Sequence, residues 1–136
     1  MGSVLRHVAI RAADIERSRL FYESILGLSF VGFRPSGSGS MDLSDGTLNM
    51  TLLPYDGPAR ASLPEPTEFI HLGFIVEDLD AAFDRCVANG FEILRENVKD
   101  RNLPVERPTI SFKVADPDGN VIDVTRRKDE WRGVKA

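Results

Sequence analysis

An internal duplication limits what this chain can fold into more than any other feature. The chain has two histidines, His7 and His71, and each stands seven positions before an aspartate, Asp14 or Asp78. Ile15 or Leu79 follows, and then an amphipathic helix pattern. The far ends also match. Asp45-Gly46-Thr47-Leu48-Asn49-Met50-Thr51 aligns without gaps on Asp118-Gly119-Asn120-Val121-Ile122-Asp123-Val124. A chain built this way must solve one local folding problem twice.

Val4 to Arg11 alternates as a strand. Val4, Val8 and Ile10 share one side, and Leu5, His7, Ala9 and Arg11 the other. Asp14 is placed to cap a helix over about Ile15 to Leu26, with Gly27 as its stop. Leu28 to Arg34 reads as a strand and Pro35 to Ser40 as a loop. Met41 to Ser44 and Thr47 to Leu53 form a hairpin turned at Asp45-Gly46. Pro54 to Thr67, with four prolines, is an extended connector. The second unit repeats the order: strand Phe69 to Val76, a helix from Asp78 to about Asn89, and strand Phe91 to Leu94. A polar loop, Glu96 to Pro108, leads to strands Thr109 to Val114 and Asn120 to Arg126. Trp131 is the docking anchor of a charged tail.

The expectation is an α+β fold in which two paired βαβββ modules form a curved, partly closed mixed sheet around a cavity. Each helix covers one sheet face, and the uncovered faces line the concave side. One domain spans 1–136, with module one at about 3–55, a connector at about 56–67, module two at about 68–126 and a tail at 127–136. A net charge of -4 argues against nucleic acid or an anionic membrane as partner. The single cysteine, Cys86, excludes an internal disulfide framework, and no run approaches membrane-spanning length. With no apolar signal-peptide core near Met1, these features predict a cytoplasmic protein.

The candidate chemistry lies on the faces turned away from the helices. His7 and His71 sit opposite the apolar residues of their strands. Asp123, between Ile122 and Val124, faces the same way. Two imidazoles and one carboxylate from three strands match the facial set that holds Fe(II) or a similar divalent ion with positions left open. Fe(II), Mn(II), Zn(II) and Ni(II) all remain candidates. Arg11 and Lys113 are placed to reach the cavity and meet an anionic small-molecule substrate.

The paired units, the strand-His-helix openings, "RSRLFYESILGLSFVG" and "DPDGNVIDV" resemble the vicinal oxygen chelate superfamily, which includes glyoxalase I, extradiol dioxygenases, methylmalonyl-CoA epimerase, fosfomycin-resistance transferases and bleomycin-resistance proteins. The resemblance implies that His7, His71 and Asp123 occupy three of four ligand positions, with Asp123 where Glu is usual, and that the protein is a homodimer. The gap-free repeat alignment puts Met50 at the fourth position, and a bulge would bring Asn49 or Thr51 there instead. None of these is the carboxylate base that glyoxalase I needs. The expected function is a divalent-metal-dependent enzyme (a dioxygenase, lyase or transferase) acting on a small oxygenated substrate, not a four-ligand glyoxalase I. Alternatives are a metal-free binding or resistance protein of bleomycin-resistance type and a lactoylglutathione lyase-like lyase.

Overall fold

Asp14 and Asp78 start the two helices in the same way. Both are extended, with φ -120° and ψ 97° or 96°. Each side chain accepts a hydrogen bond from the amide three residues on, Arg17 at 3.0 Å and Ala81 at 2.9 Å. The carboxylate replaces the acceptor that a first-turn N–H lacks and sits at the positive end of the helix dipole. The computed structural model describes residues 5–57, 71–94 and 106–132; the side chain of His71, most of the connector and most of the polar loop lie outside them. It divides into two compact units, Met1–Arg60 and Ala61–Ala136.

The first unit runs β1 (His7–Ala12), α1 (Ile15–Leu20), β2 (Ser29–Phe33), β3 (Met41–Ser44) and β4 (Asn49–Pro54), with sheet order β1-β4-β3-β2. β1 and β4 are parallel, and the other pairs are antiparallel. The sequence predicts one continuous helix to Leu26. The structure instead ends α1 at Leu20 and continues in a wider π-helical turn over Phe21–Ile25. That turn buries the adjacent rings of Phe21 and Tyr22 together with Ile25. The two rings meet edge to face with centroids 5.0 Å apart.

The second unit repeats the plan with β5 (His71–Ile75), α2 (Leu79–Ala88), β6 (Ile93–Leu94), β7 (Ser111–Ala115) and β8 (Val121–Thr125), in order β5-β8-β7-β6. β5 and β8 are the parallel pair. Phe112, Val114, Ile122 and Val124 form the core with Leu79, Phe83 and Cys86 of α2. Burial pushes the Cys86 thiol up to about 12, so it packs as a small apolar group rather than reacting. Among the described residues no helix is long and apolar enough to cross a membrane.

The strand registers correct the repeat alignment. In the first unit His7 pairs with Asn49 and Ala9 with Thr51; in the second, His71 pairs with Val121 and Gly73 with Asp123. Matching the histidines therefore makes Thr51, not Met50, the counterpart of Asp123. The cause is hairpin length. Ser44 pairs across to Asn49 with four residues between, whereas Ala115 pairs to Val121 with five between. Asp45 and Asp116 hold these turns. Asp45 accepts from the amides of Thr47 and Leu48, and Asp116 from those of Asp118 and Asn120. Aligning the turn glycines puts the return strands one residue out of phase, and in a strand one residue exchanges the two faces.

Met50 thus does not line a cavity. It is 1% exposed and belongs to the core with Met41, Leu43 and Leu52. Truncating it to alanine will cost about 2–5 kcal/mol, the range for emptying a buried methionine site. Chemical denaturation of Met50→Ala checks this, and a loss near zero would return Met50 to an open face.

Candidate functional site

The first unit's helix uses the apolar positions of its sheet, so the polar ones must line the other face. Period-two alternation puts His7, Asn49, Thr51 and Asp42 there. His7 Nδ1 lies 2.6 Å from Asn49 Oδ1. The Thr51 hydroxyl, in a side chain that is nearly fully buried, donates to Asp42 Oδ1 at 2.7 Å. Arg34 closes the group, donating from Nε to Asp42 Oδ1 at 3.0 Å and from Nη2 to Thr51 Oγ1 at 2.9 Å. Burial pushes the Asp42 carboxyl up. Hydrogen bonds from Thr51, Arg34 and Asn49, with the Arg34 charge, outweigh it and hold Asp42 below the usual carboxylate range.

The second unit builds the equivalent corner with other chemistry. Asp123 stands beside Gly73 on one flank and Lys113 on the other. Lys113 Nζ is 3.8 Å from Asp123 Oδ1. In the first unit these three positions are held by Thr51, Ala9 and Asp42. The carboxylate has moved one strand over, and its cationic partner has changed with it.

After β8 the chain turns back over this corner. The Arg127 amide donates to Thr125 Oγ1 at 3.1 Å. Trp131 then lies against Gly73, so closely that a β-carbon at that glycine would overlap the indole ring. The sequence expectation of Trp131 as an anchor meets its receptor here. Trp131, Lys113, Asp123, Thr125 and Ser111 are among the residues lining a cavity of about 900 Å³ within the second unit.

The structure therefore brings His7 to Asn49 and Lys113 to Asp123. It sends Met50 to the core and stacks the Arg11 guanidinium on Tyr55, 4.6 Å from the ring centroid. The backbone of His71 lies on β5 beside Val121, and its side chain lies outside the described residues. Among the described residues no three His, Cys, Asp or Glu side chains gather as a metal cluster. Sequence reading missed Asp42 and the Arg34–Thr51 bond. The available signal was a lone carboxylate between Met41 and Leu43 in a short strand.

Comparison with known proteins places this architecture. The family model for the glyoxalase/bleomycin resistance protein/dioxygenase superfamily matches residues 4–124. The chain belongs to that superfamily. Protein YwkD of Bacillus subtilis strain 168, also a relative, is 34% identical over 119 residues, covering 84% of this chain and 89% of its own. Lactoylglutathione lyase of Salmonella typhimurium strain LT2 is 29% identical over 147 residues, covering 96% and 97%. Among solved structures, the fosfomycin resistance protein FosX of Listeria monocytogenes, complexed with Mn(II) and 1S,2S-dihydroxypropylphosphonic acid, aligns with a TM-score of 0.69. It is 19% identical over 96% of this chain and 94% of that one, a likeness of fold alone. The superfamily fold thus confirms the α+β expectation of two βαβββ modules.

Two outcomes follow from the corners. The chain has one tryptophan, so Gly73→Ala, by expelling the ring from its seat, will shift the intrinsic fluorescence to longer wavelength. An unchanged spectrum would mean that Trp131 does not rest on Gly73. Asp42, with its lowered folded value, contributes stability that is full above the ordinary carboxyl value of 3.8 and is lost as pH falls below it. Melting temperature followed over about pH 2 to 5 will therefore fall less steeply in Asp42→Asn than in the parent protein.

Proposed function

We propose that this protein is a divalent-metal-dependent enzyme acting on a small oxygenated substrate, with His7, His71 and Asp123 holding the ion and the two units working as one domain. The observation that carries the reading is the pair of open-face corners. His7 has one ring nitrogen engaged by Asn49, which leaves the other to act as a donor, and Asp123 offers a carboxylate at the edge of a cavity. This donor chemistry fits an intermediate divalent ion. When bound, such an ion polarises vicinal substrate oxygens as a Lewis acid and stabilises developing negative charge.

The residues around the corners bind and orient. Lys113, already beside Asp123, supplies positive charge for an anionic substrate group, and Trp131 supplies an apolar wall. Thr51 takes the position that in a four-ligand glyoxalase I would be a carboxylate base, and a threonine hydroxyl cannot move a proton between adjacent carbons. Asp42 does not replace it, because its lowered pKa and bonds to Thr51 and Arg34 make it a weak base. Lactoylglutathione lyase activity is accordingly excluded from the proposal, although relatives of that name align over most of the chain. Protein assayed with the methylglyoxal–glutathione hemithioacetal is expected to give no turnover.

A second reading draws on the Lys113–Asp123 pair. An aspartate already neutralised by lysine suits a metal-free binding pocket of bleomycin-resistance type. Elemental analysis of protein purified without a histidine tag separates the two. The enzyme reading expects about one divalent ion per chain, lost in His71→Ala and in Asp123→Ala. Folded, metal-free protein that takes up no added ion would end it in favour of binding. A homodimer is part of the same proposal and is read by light scattering.

A further inference from the structure

The polar face of the first unit holds a second pattern, visible when its side chains are taken in the spatial order of the strands. His7 stands on β1, Asn49 and Thr51 on β4, Asp42 on β3, and Arg34 just beyond the end of β2. Each touches the next. Arg34 donates to Asp42 at 3.0 Å, Thr51 Oγ1 lies 2.7 Å from Asp42 and 3.2 Å from Asn49 Oδ1, and Asn49 Oδ1 meets His7 Nδ1 at 2.6 Å. A chain of side-chain contacts thus crosses the whole four-stranded sheet from one edge to the other.

The order of charges gives the chain a direction. The guanidinium only donates, so the Asp42 carboxylate accepts from it and is held ionised. A carboxylate only accepts, so the asparagine turns its amide nitrogen to Asp42, and the amide oxygen must then face His7. An amide oxygen only accepts in its turn, so the hydrogen of the neutral imidazole sits on Nδ1 and the lone pair on Nε2. In this arrangement the single Thr51 hydrogen goes to Asp42, the nearer of its two acceptors, and the amide oxygen of Asn49 is left for His7. Thr51 reinforces it, accepting from Arg34 at 2.9 Å while donating to Asp42 at 2.7 Å.

We infer that the Arg34–Asp42–Asn49 chain is a positioning device that locks His7 in the Nδ1–H tautomer and presents Nε2 as a donor to a divalent ion. Asn49 is then a positioning residue, acting through His7. The second unit has no copy of it, since Val121 occupies the equivalent register position. The consequence for the ion rests on the metal-site reading above; the tautomer lock stands or falls without it.

The test begins with full-length, metal-free protein labelled with nitrogen-15, in long-range proton–nitrogen correlation spectra at about pH 8, where an ordinary imidazole is neutral. The expected His7 pattern is a protonated Nδ1 and a bare Nε2. Asn49→Ala should release the ring to the other tautomer or to a mixture, whereas Asn49→Asp, which keeps an acceptor oxygen, should hold the Nδ1–H form. A bare Nδ1 in the parent protein overturns the inference with no variant needed, and so does an unchanged ring in folded Asn49→Ala. Calorimetric titration with Zn(II) or Mn(II) alone then reads the consequence. Asn49→Ala should bind about 10- to 100-fold more weakly with the same stoichiometry. Parent protein that shows the expected tautomer and takes up neither ion overturns the metal site and supports the lock.

Discussion

Everything at the candidate site depends on the parallel pairing of the first and last strand in each unit. That pairing sets Val8 beside Met50 and Leu72 beside Ile122. Once those apolar positions turn to a helix, the residues between them have only the other face. The hydrophobic core therefore decides which polar groups can meet. His7 reaches Asn49, and Asp123 reaches Lys113, because their strand neighbours are buried behind them.

The two corners show how one scaffold accommodates different chemistry. The first unit surrounds a carboxylate with Arg34, Thr51 and Asn49 and so commits it to structure. The second sets a lysine near a carboxylate that is about as exposed, at the longer distance of 3.8 Å. A group held by three hydrogen bonds in a fixed geometry organises its neighbours. Buried polar networks of the first kind rigidify a face, and each member is costly to leave unpaired.

Much of this was legible in the sequence. The aspartate caps, the order of elements and the placing of Asp123 on the face opposite Ile122 and Val124 follow from local rules: a carboxylate before an amphipathic run, and alternation about buried residues. The first-unit counterpart of Asp123 was not. Its placement turned on whether a hairpin loop held four residues or five, and the matching Asp-Gly pairs concealed the difference because the structural turn carboxylates are Asp45 and Asp116. The contacts of Asp42 were equally hidden. They join strands that are distant in sequence, and no local pattern records which cation will reach a carboxylate. The widened turn at Phe21–Ile25 was missed for a related reason, since helical periodicity alone does not distinguish an α turn from a π turn.

Gly73 carries a consequence of a different kind. Its missing β-carbon lets the segment after β8 lay an indole on the strand next to Asp123. The wall of the cavity is thus supplied by a part of the chain that the repeated fold does not require. The repeated order of elements accounts for the two sheets but not for this cover. The volume of a single methyl group at position 73 decides whether the indole can rest on that strand.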